Sequence, residues 1–203
     1  QVEWVEPRPF FEFLNSVGIE VMNVDDTWDN SNMANIDASW SGLDGSGVIV
    51  TVADTGLDNG VNNTNMHPDF RDHITGILSF PPSASTCASL SLSPCGDDAE
   101  DHHGHGTHVA GSVRGDGTHS NGDIIGAAPE AQLLVHSIAT THNGEEKLLG
   151  IPNDLDDMFK LAWANGSRVH TNSWGSAVAG QYTTSSMQAD SSARTHDELV
   201  LSL

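Results

Sequence analysis

Two residues, Asp54 and His105, have the types and settings that proton transfer requires. Asp54 comes directly after an apolar, β-branched run at residues 48–53 and precedes Thr55 and Gly56. A carboxylate at the end of a buried strand can be held by backbone donors and kept ionised. His105 lies in a stretch of glycine and other small residues, where its ring can serve as a general base and then as a general acid. We therefore expect Asp54 to orient the imidazole of His105; the alternatives are a turn aspartate and a surface histidine.

A metal site is a second interpretation of this region, because four histidines and three acidic residues are crowded together. They are Asp98, Glu100, Asp101, His102, His103, His105 and His108. Histidine is a common zinc ligand. The zinc protease pattern, however, needs two histidines four apart on a helix with a glutamate between them. His105 and His108 are three apart and enclose Gly106 and Thr107, so the sequence disfavours zinc.

The elements that must position Asp54 and His105 alternate between strands and helices. We predict strands at residues 48–53, 132–138, 168–173 and 198–203, and helices at 104–113, 154–165 and 184–196. Asn153 or Asp154 is expected to cap the second helix, and Gly166 is expected to end it. Residues 1–45 are predicted to be irregular, and residues 58–101 to form a long connection. The alternation indicates an α/β domain with a mostly parallel sheet, in which active residues gather at the carboxyl ends of strands.

The charge of the chain excludes some classes of partner. The 203 residues include 28 acidic and 7 basic side chains, which gives a net charge of −21. So few cations argue against binding to nucleic acid and to an anionic membrane surface. No apolar run approaches the length that spans a bilayer. Because the charge is spread along the chain, it favours a solvated surface over an acidic site for a cationic substrate.

The two cysteines, Cys87 and Cys95, lie in one loop-like stretch. A local disulfide would suit an oxidising compartment. Two free thiols are the alternative, and the spacing alone does not decide between them.

Three segments together resemble the subtilisin-like serine proteases, or subtilases. The segments are residues 52–58 (VADTGLD), 104–112 (GHGTHVAGS) and 170–175 (HTNSWG). They resemble, in the family's order, the aspartate motif, the histidine motif and the segment whose backbone pairs with substrate. The resemblance covers about residues 20–203. It is closest to the oxidatively stable alkaline subtilases, through residues 66–71, 126–129 and 172–175.

This resemblance implies a subtilisin-like three-layer fold and an endopeptidase with an Asp/His/Ser triad. Asp54 would fix the tautomer of His105, and His105 would deprotonate a serine that attacks the peptide carbonyl. Ser173, Trp174 and Gly175 would hold the substrate as an extended strand through main-chain hydrogen bonds. Trp174 would also wall the specificity pocket, or else pack in the core. The expected partner is a polypeptide substrate, and the chemistry requires no cofactor.

The nucleophile motif of the family, a run like Gly-Thr-Ser-Met-Ala, is absent from the sequence. Residues 184–188 (TSSMQ) match it only superficially, since they lack the preceding glycine and come too early. We therefore expect residues 21–203 to be the N-terminal part of a catalytic domain that is truncated before its oxyanion asparagine and its serine. The chain alone would then be inactive, and the missing remainder of the domain would be its partner. The alternative is a non-catalytic, peptide-binding relative.

Three further expectations follow from the resemblance and the composition. Residues 4–7 (WVEP) resemble the tail of a subtilase pro-segment, so residues 1–20 are expected to be that tail or an N-terminal extension. The protein is expected to be secreted and extracellular. A structural calcium ion would find hard oxygen ligands in Asp58, Asp69 and Asp72.

Overall fold

A parallel sheet of five strands forms the centre of the chain. The computed structural model describes residues 15–28, 42–96 and 98–203. The strands are β1 (Ile49–Asp54), β2 (Ile74–Ser79), β3 (Gln132–Ser137), β4 (Thr140–His142), β5 (Glu145–Lys147), β6 (Val169–Asn172) and β7 (Val200–Ser202). The large sheet has the order β2-β3-β1-β6-β7, and all its pairings are parallel. Strands β4 and β5 form a separate antiparallel hairpin.

Helices connect the parallel strands, as crossovers in such a sheet require. They are α1 (Asn15–Val21), α2 (Ala84–Leu90), α3 (His105–Arg114), α4 (Asp156–Ala164) and α5 (Thr184–Thr195), with short 3-10 helices at Asp25–Thr27 and Pro68–Phe70. Within the described parts of the chain, none of these helices is long and apolar enough to cross a membrane.

Apolar side chains on the two faces of the sheet form two cores. Val52 of β1 packs with Ala110 of α3 in one core, and Ala53 packs with Met158 and Phe159 of α4 in the other. Successive residues of a strand point to opposite faces, so helices cover the sheet on both sides. The predicted three-layer α/β fold with a parallel sheet is confirmed.

Each predicted strand and helix is present close to its predicted bounds. At the end of α4, Gly166 has a φ of +86°, the left-handed conformation that favours glycine at this position. At the start of α4, Asp154 Oδ1 accepts a hydrogen bond from the backbone N–H of Asp156 at 3.1 Å. Leu155 is the N-cap residue of α4 and makes no side-chain capping bond, so the cap predicted at Asn153 or Asp154 is not formed there, whereas Gly166 ends the helix as predicted.

The structure corrects the regions predicted to lack regular elements. Helix α1 lies within the segment predicted to be irregular, β2 and α2 lie within the predicted long connection, and the β4–β5 hairpin was not predicted. Strand β2 is an edge strand whose register shifts between Ile74 and Gly76, which weakens its sequence pattern. The predicted pro-segment tail falls largely on residues 1–14, outside the described residues, and stays a prediction.

The cysteine question is resolved in favour of a disulfide. Cys87 and Cys95 are bonded, with their Cα atoms 5.5 Å apart. The bond joins α2 to the loop that follows it. Because α2 has little apolar periodicity, this bond and the Ser83 cap, whose Oγ accepts from Thr86 N at 3.1 Å, hold the helix in place.

Candidate active site

The carboxyl end of β1 presents Asp54 to His105, the first residue of α3. Asp54 Oδ1 lies 2.7 Å from His105 Nδ1 and accepts a hydrogen bond from the backbone N–H of Thr55 at 2.8 Å. Asp54 is 2% exposed, whereas the His105 side chain is 41% exposed. When a carboxylate accepts a hydrogen bond from the Nδ1–H group, Nε2 is the basic atom of the neutral ring. The pair can therefore present a correctly oriented general base.

Helix α3 meets the turn after β1 at a glycine. A Cβ added to Gly106 would lie 2.9 Å from the backbone nitrogen of Gly56 and closer still to its carbonyl oxygen. The backbone N–H of Gly106 also donates to Thr55 Oγ1 at 2.8 Å. The absence of a side chain at Gly106 thus allows His105 to approach Asp54.

Three polar residues that the sequence did not assign to this site surround the pair: Thr55, Asp101 and Thr107. Asp101 accepts hydrogen bonds from both threonine hydroxyls. From the sequence, Asp101 was predicted only as a candidate metal ligand. Its position just before the start of α3 was the available signal, because carboxylates there accept free backbone N–H groups.

The predicted substrate segment follows directly after β6. Ser173 and Gly175 are exposed. Trp174 is partly buried, packs against the core on the α4 side, and donates from Nε1 to Ala53 O at 3.0 Å. These contacts favour the core-packing role for Trp174, and the substrate-binding role of the three residues stays a prediction.

An apolar groove of about 830 Å³ extends from His105 to Ser173. Its walls are formed by small side chains of α3, such as Val109, and of the neighbouring strands β1 and β6, such as Val50 and Val169. Uncovered apolar surface therefore adjoins the histidine on the α3 side of the sheet.

Three residues of the histidine-rich region form a candidate metal-ligand group in the structure, and zinc binding there stays the alternative that the sequence disfavours. Among residues 15–28, 42–96 and 98–203, the one group of three potential ligands is Asp98, Glu100 and His102, whose ligand atoms lie within 4.8 Å of one another. Of the four crowded histidines, only His102 belongs to this group. His105 is paired with Asp54 instead.

The predicted calcium ligands Asp58, Asp69 and Asp72 do not form a ligand group within the described residues. Asp58 Oδ2 accepts a hydrogen bond from the backbone of His67 at 2.6 Å. Asp69 Oδ1 accepts one from the backbone of His119 at 2.7 Å. Both carboxylates are thus engaged by the protein itself, and a structural calcium ion stays a prediction.

Comparisons with known proteins agree with this fold. A profile of the Subtilase family (Peptidase_S8) matches residues 45–201. The major intracellular serine protease of Bacillus subtilis (strain 168) is 30% identical over 138 residues, which make up 68% of this chain and 38% of that protein. The chain therefore spans well under half the length of this relative.

Two solved structures share the fold. Fervidolysin from Fervidobacterium pennivorans superposes with a TM-score of 0.50 at 23% identity, over 78% of this chain and 21% of that one. MycP1 with its N-terminal propeptide removed gives a TM-score of 0.52 at 18% identity, over 90% of this chain and 46% of that one. Since the family profile covers most of the chain and the fold agrees with it, the chain belongs to the subtilase family of serine peptidases.

Proposed function

We propose that the protein carrying this chain is a serine endopeptidase that hydrolyses peptide bonds, with Asp54 and His105 as two members of its triad. The hydrogen bond between His105 Nδ1 and Asp54 Oδ1 is the observation that carries the proposal. His105 Nε2 takes the proton of a serine hydroxyl as the oxygen attacks the scissile carbonyl, and later gives it to the leaving amine. Asp54 stabilises the imidazolium formed between these steps. No cofactor takes part in this chemistry.

We place the nucleophilic serine outside these 203 residues. The superficially matching Ser186 forms a capping box with Thr183 at the start of α5. Helix α5 packs through Ala189 into the core shared with α4, across the sheet from α3. The apolar groove beside His105 supports the idea that the rest of the catalytic domain packs there, which makes that part the structural partner of this chain.

Substrate is proposed to bind as an extended strand beside Ser173, Trp174 and Gly175. These residues continue from β6 at the carboxyl end of the sheet, and Ser173 lines the same groove as His105. Exposed backbone after a strand can pair with an added strand, which gives affinity without strict dependence on side chains. This arrangement supports a polypeptide as the substrate.

The proposed location is extracellular, and the proposed subgroup is the oxidatively stable alkaline subtilases. The disulfide between Cys87 and Cys95 supports an oxidising compartment. The net charge of −21 suits a soluble, strongly solvated surface. The subgroup rests on the likeness of residues 66–71, 126–129 and 172–175.

A fluorophosphonate probe, which reacts with activated serines, tests the proposed function on the intact protein. We expect labelling of one serine outside residues 1–203 and cleavage of a denatured polypeptide, with both lost in His105→Ala. The reason is that the serine is activated only when a base takes its proton. Peptide mapping of the labelled protein identifies the serine. Failure of labelling with intact peptide binding would instead support the non-catalytic, peptide-binding alternative.

Gly106→Ala is expected to lower kcat of the intact protein by about 10²-fold, because the new methyl group forces α3 away from the turn that carries Asp54. The same overpacking should cost about 1–3 kcal/mol in the free energy of unfolding. Peptidase kinetics and urea unfolding measure the two effects. Gly111→Ala is the control in the same helix, since its Cβ would meet only Phe70 Cζ at 3.9 Å. Equal kcat values for the two variants would contradict the close-approach argument.

A further inference from the structure

Asp101 is a half-buried residue in the loop that leads into α3, and its carboxylate accepts four hydrogen bonds. Its Oδ1 accepts from Thr55 Oγ1 at 2.7 Å and from Gly104 N at 2.8 Å. Its Oδ2 accepts from Thr107 N at 2.7 Å and from Thr107 Oγ1 at 2.5 Å. One side chain therefore connects the turn after β1 to the first turn of α3.

Thr55 extends this connection to Asp54 and to the residue beside His105. Its backbone N–H donates to Asp54 Oδ1 at 2.8 Å. Its hydroxyl donates to Asp101 and accepts from the backbone N–H of Gly106 at 2.8 Å. Asp101 is thus linked through one threonine to Asp54 and to the residue that follows His105.

The backbone around Asp101 is itself fixed to the turn after β1. The N–H of Leu57 donates to Ala99 O at 3.2 Å, and the N–H of Asp101 donates to Asp58 O at 2.9 Å. The segment therefore lies directly on the turn, and the carboxylate has little freedom to move away from its donors.

All four groups on Asp101 are donors, so the side chain must be ionised to accept from them all. Burial alone would raise the pKa of Asp101, but the hydrogen bonds from Thr107, Thr55 and Gly104 together outweigh it and hold this pKa below its ordinary value. Hydrogen bonds to a charged acceptor are also stronger than neutral ones. The connection is consequently charged throughout the pH range in which a histidine can act as a base.

We propose that Asp101 is a positioning residue that sets the distance and angle between Asp54 and His105 by tying Thr55 to the start of α3. The four hydrogen bonds of its carboxylate go to Thr55, Gly104 and Thr107, and none of these bonds goes to His105 or to residues 173–175. Its effect on catalysis rests on the proposed peptidase function, whereas its effect on the Asp54–His105 geometry does not.

Asp101→Ala in the intact protein tests the proposal. We expect kcat to fall about 10²-fold while KM changes by less than about threefold, since a misplaced base slows the chemical step without removing substrate contacts. A second readout is the downfield proton resonance of the hydrogen bond from His105 Nδ1 to Asp54, which we expect to shift upfield or to be lost by exchange with water. Asp101→Asn should lose about 10-fold in kcat, because its amide nitrogen cannot accept from Thr107 N.

Asp156→Ala is the matched control, because it removes another hydrogen-bonded carboxylate far from His105. Asp156 Oδ1 accepts from Ser192 Oγ at 2.7 Å, between α4 and α5. This variant should leave kcat and the downfield resonance unchanged, even if it lowers the thermal midpoint as much as Asp101→Ala does.

The two readouts separate the failure of this proposal from failure of the proposed function. If Asp101→Ala keeps both the kcat and the resonance of the wild-type protein, or if Asp156→Ala changes them equally, Asp101 is not a positioning residue. If the wild-type protein hydrolyses no peptide, the peptidase proposal fails. The resonance alone then decides whether Asp101 positions the pair.

Discussion

Replacing His105 with alanine is expected to reduce kcat of the intact protein for peptide hydrolysis by about 10⁶-fold, and replacing Asp54 by about 10⁴-fold. Losses of this size are typical when a member of a catalytic triad is removed. In the proposed mechanism His105 is the group that moves the proton, so its removal should abolish base catalysis. Asp54 is 2% exposed and lies 2.7 Å from His105 Nδ1; in the same mechanism it only orients the ring and stabilises its charge. Steady-state kinetics with a chromogenic peptide measure both losses.

The double variant distinguishes a triad from two independent groups. Members of one catalytic unit are strongly non-additive, so we expect the Asp54→Ala, His105→Ala protein to be no slower than His105→Ala alone. His119→Ala is the control, because His119 is exposed and contacts His67, away from Asp54. Additive losses, or a His105→Ala protein with wild-type kcat, would remove both residues from the proposed mechanism.

Local patterns predicted the elements that carry the candidate triad. The β-branched run that ends at Asp54 became the central strand, and the small residues after His105 became a helix that packs against it through Ala110. Both sequence patterns lie within a few residues of Asp54 or His105, the residues that these elements position. Strand β2 and helix α2 had no such signal, because an edge strand and a polar helix held by a disulfide are stabilised by tertiary contacts.

The role of Asp101 could not be derived from sequence for a related reason. Its donors come from Thr55 as well as from Gly104 and Thr107, and only the folded chain brings the first of these to the others. In sequence, Asp101 is one acidic residue in an acidic loop beside several histidines. The cluster of acidic residues and histidines therefore suggested metal binding, whereas the geometry indicates that the Asp101 carboxylate supports the start of α3.

Two further histidines were predicted to lie in strands, but the consequence of their burial emerges only from the structure. His136 of β3 and His170 of β6 are both 0% exposed, and their ring centroids are 5.6 Å apart. The rings of Phe80 and Phe159 contact them on either side, each at 4.9 Å. Neither ring nitrogen of His136 has a hydrogen-bond partner among the described residues. This stack disfavours a positive charge on either histidine.

The neighbours of His170 also select its neutral form. Asn172 Nδ2 donates to His170 Nδ1 at 3.1 Å and to Ser202 O at 3.1 Å, so Nδ1 acts as an acceptor and carries no proton. Burial lowers the pKa of His136 to about 4. Burial, with a smaller effect of His136, lowers the pKa of His170 to about 3. No carboxylate contributes to either shift.

Lowering the pH from 7.5 to 5 is therefore expected to destabilise the fold. In the unfolded chain a histidine has a pKa near 6.5. Between pH 5 and 7.5 the unfolded chain therefore binds protons that His136 and His170 do not bind in the folded chain, so the free energy of unfolding rises with pH. The stabilisation is complete above about pH 7 and is lost progressively as the pH falls below about 6.5. By pH 5, each of the two buried histidines lowers the free energy of unfolding by about 2 kcal/mol. Urea unfolding followed by tryptophan fluorescence measures it, with His105→Ala as background to prevent self-digestion.

Substitution of the buried pair assigns this loss to its source. His136→Gln should remove about half of the difference in unfolding free energy between pH 7.5 and pH 5, whatever it does to stability at either pH alone, because glutamine does not titrate. Removal of the exposed His119 by the same substitution should leave the difference unchanged. The pKa of Asp101 lies below its ordinary value of 3.8. Asp101 therefore takes up its proton only below pH 5 and does not contribute to the difference between pH 7.5 and pH 5. If the difference is the same in His136→Gln as in the protein with His136, the ring accepts a proton in the folded protein, contrary to its burial beside Phe80.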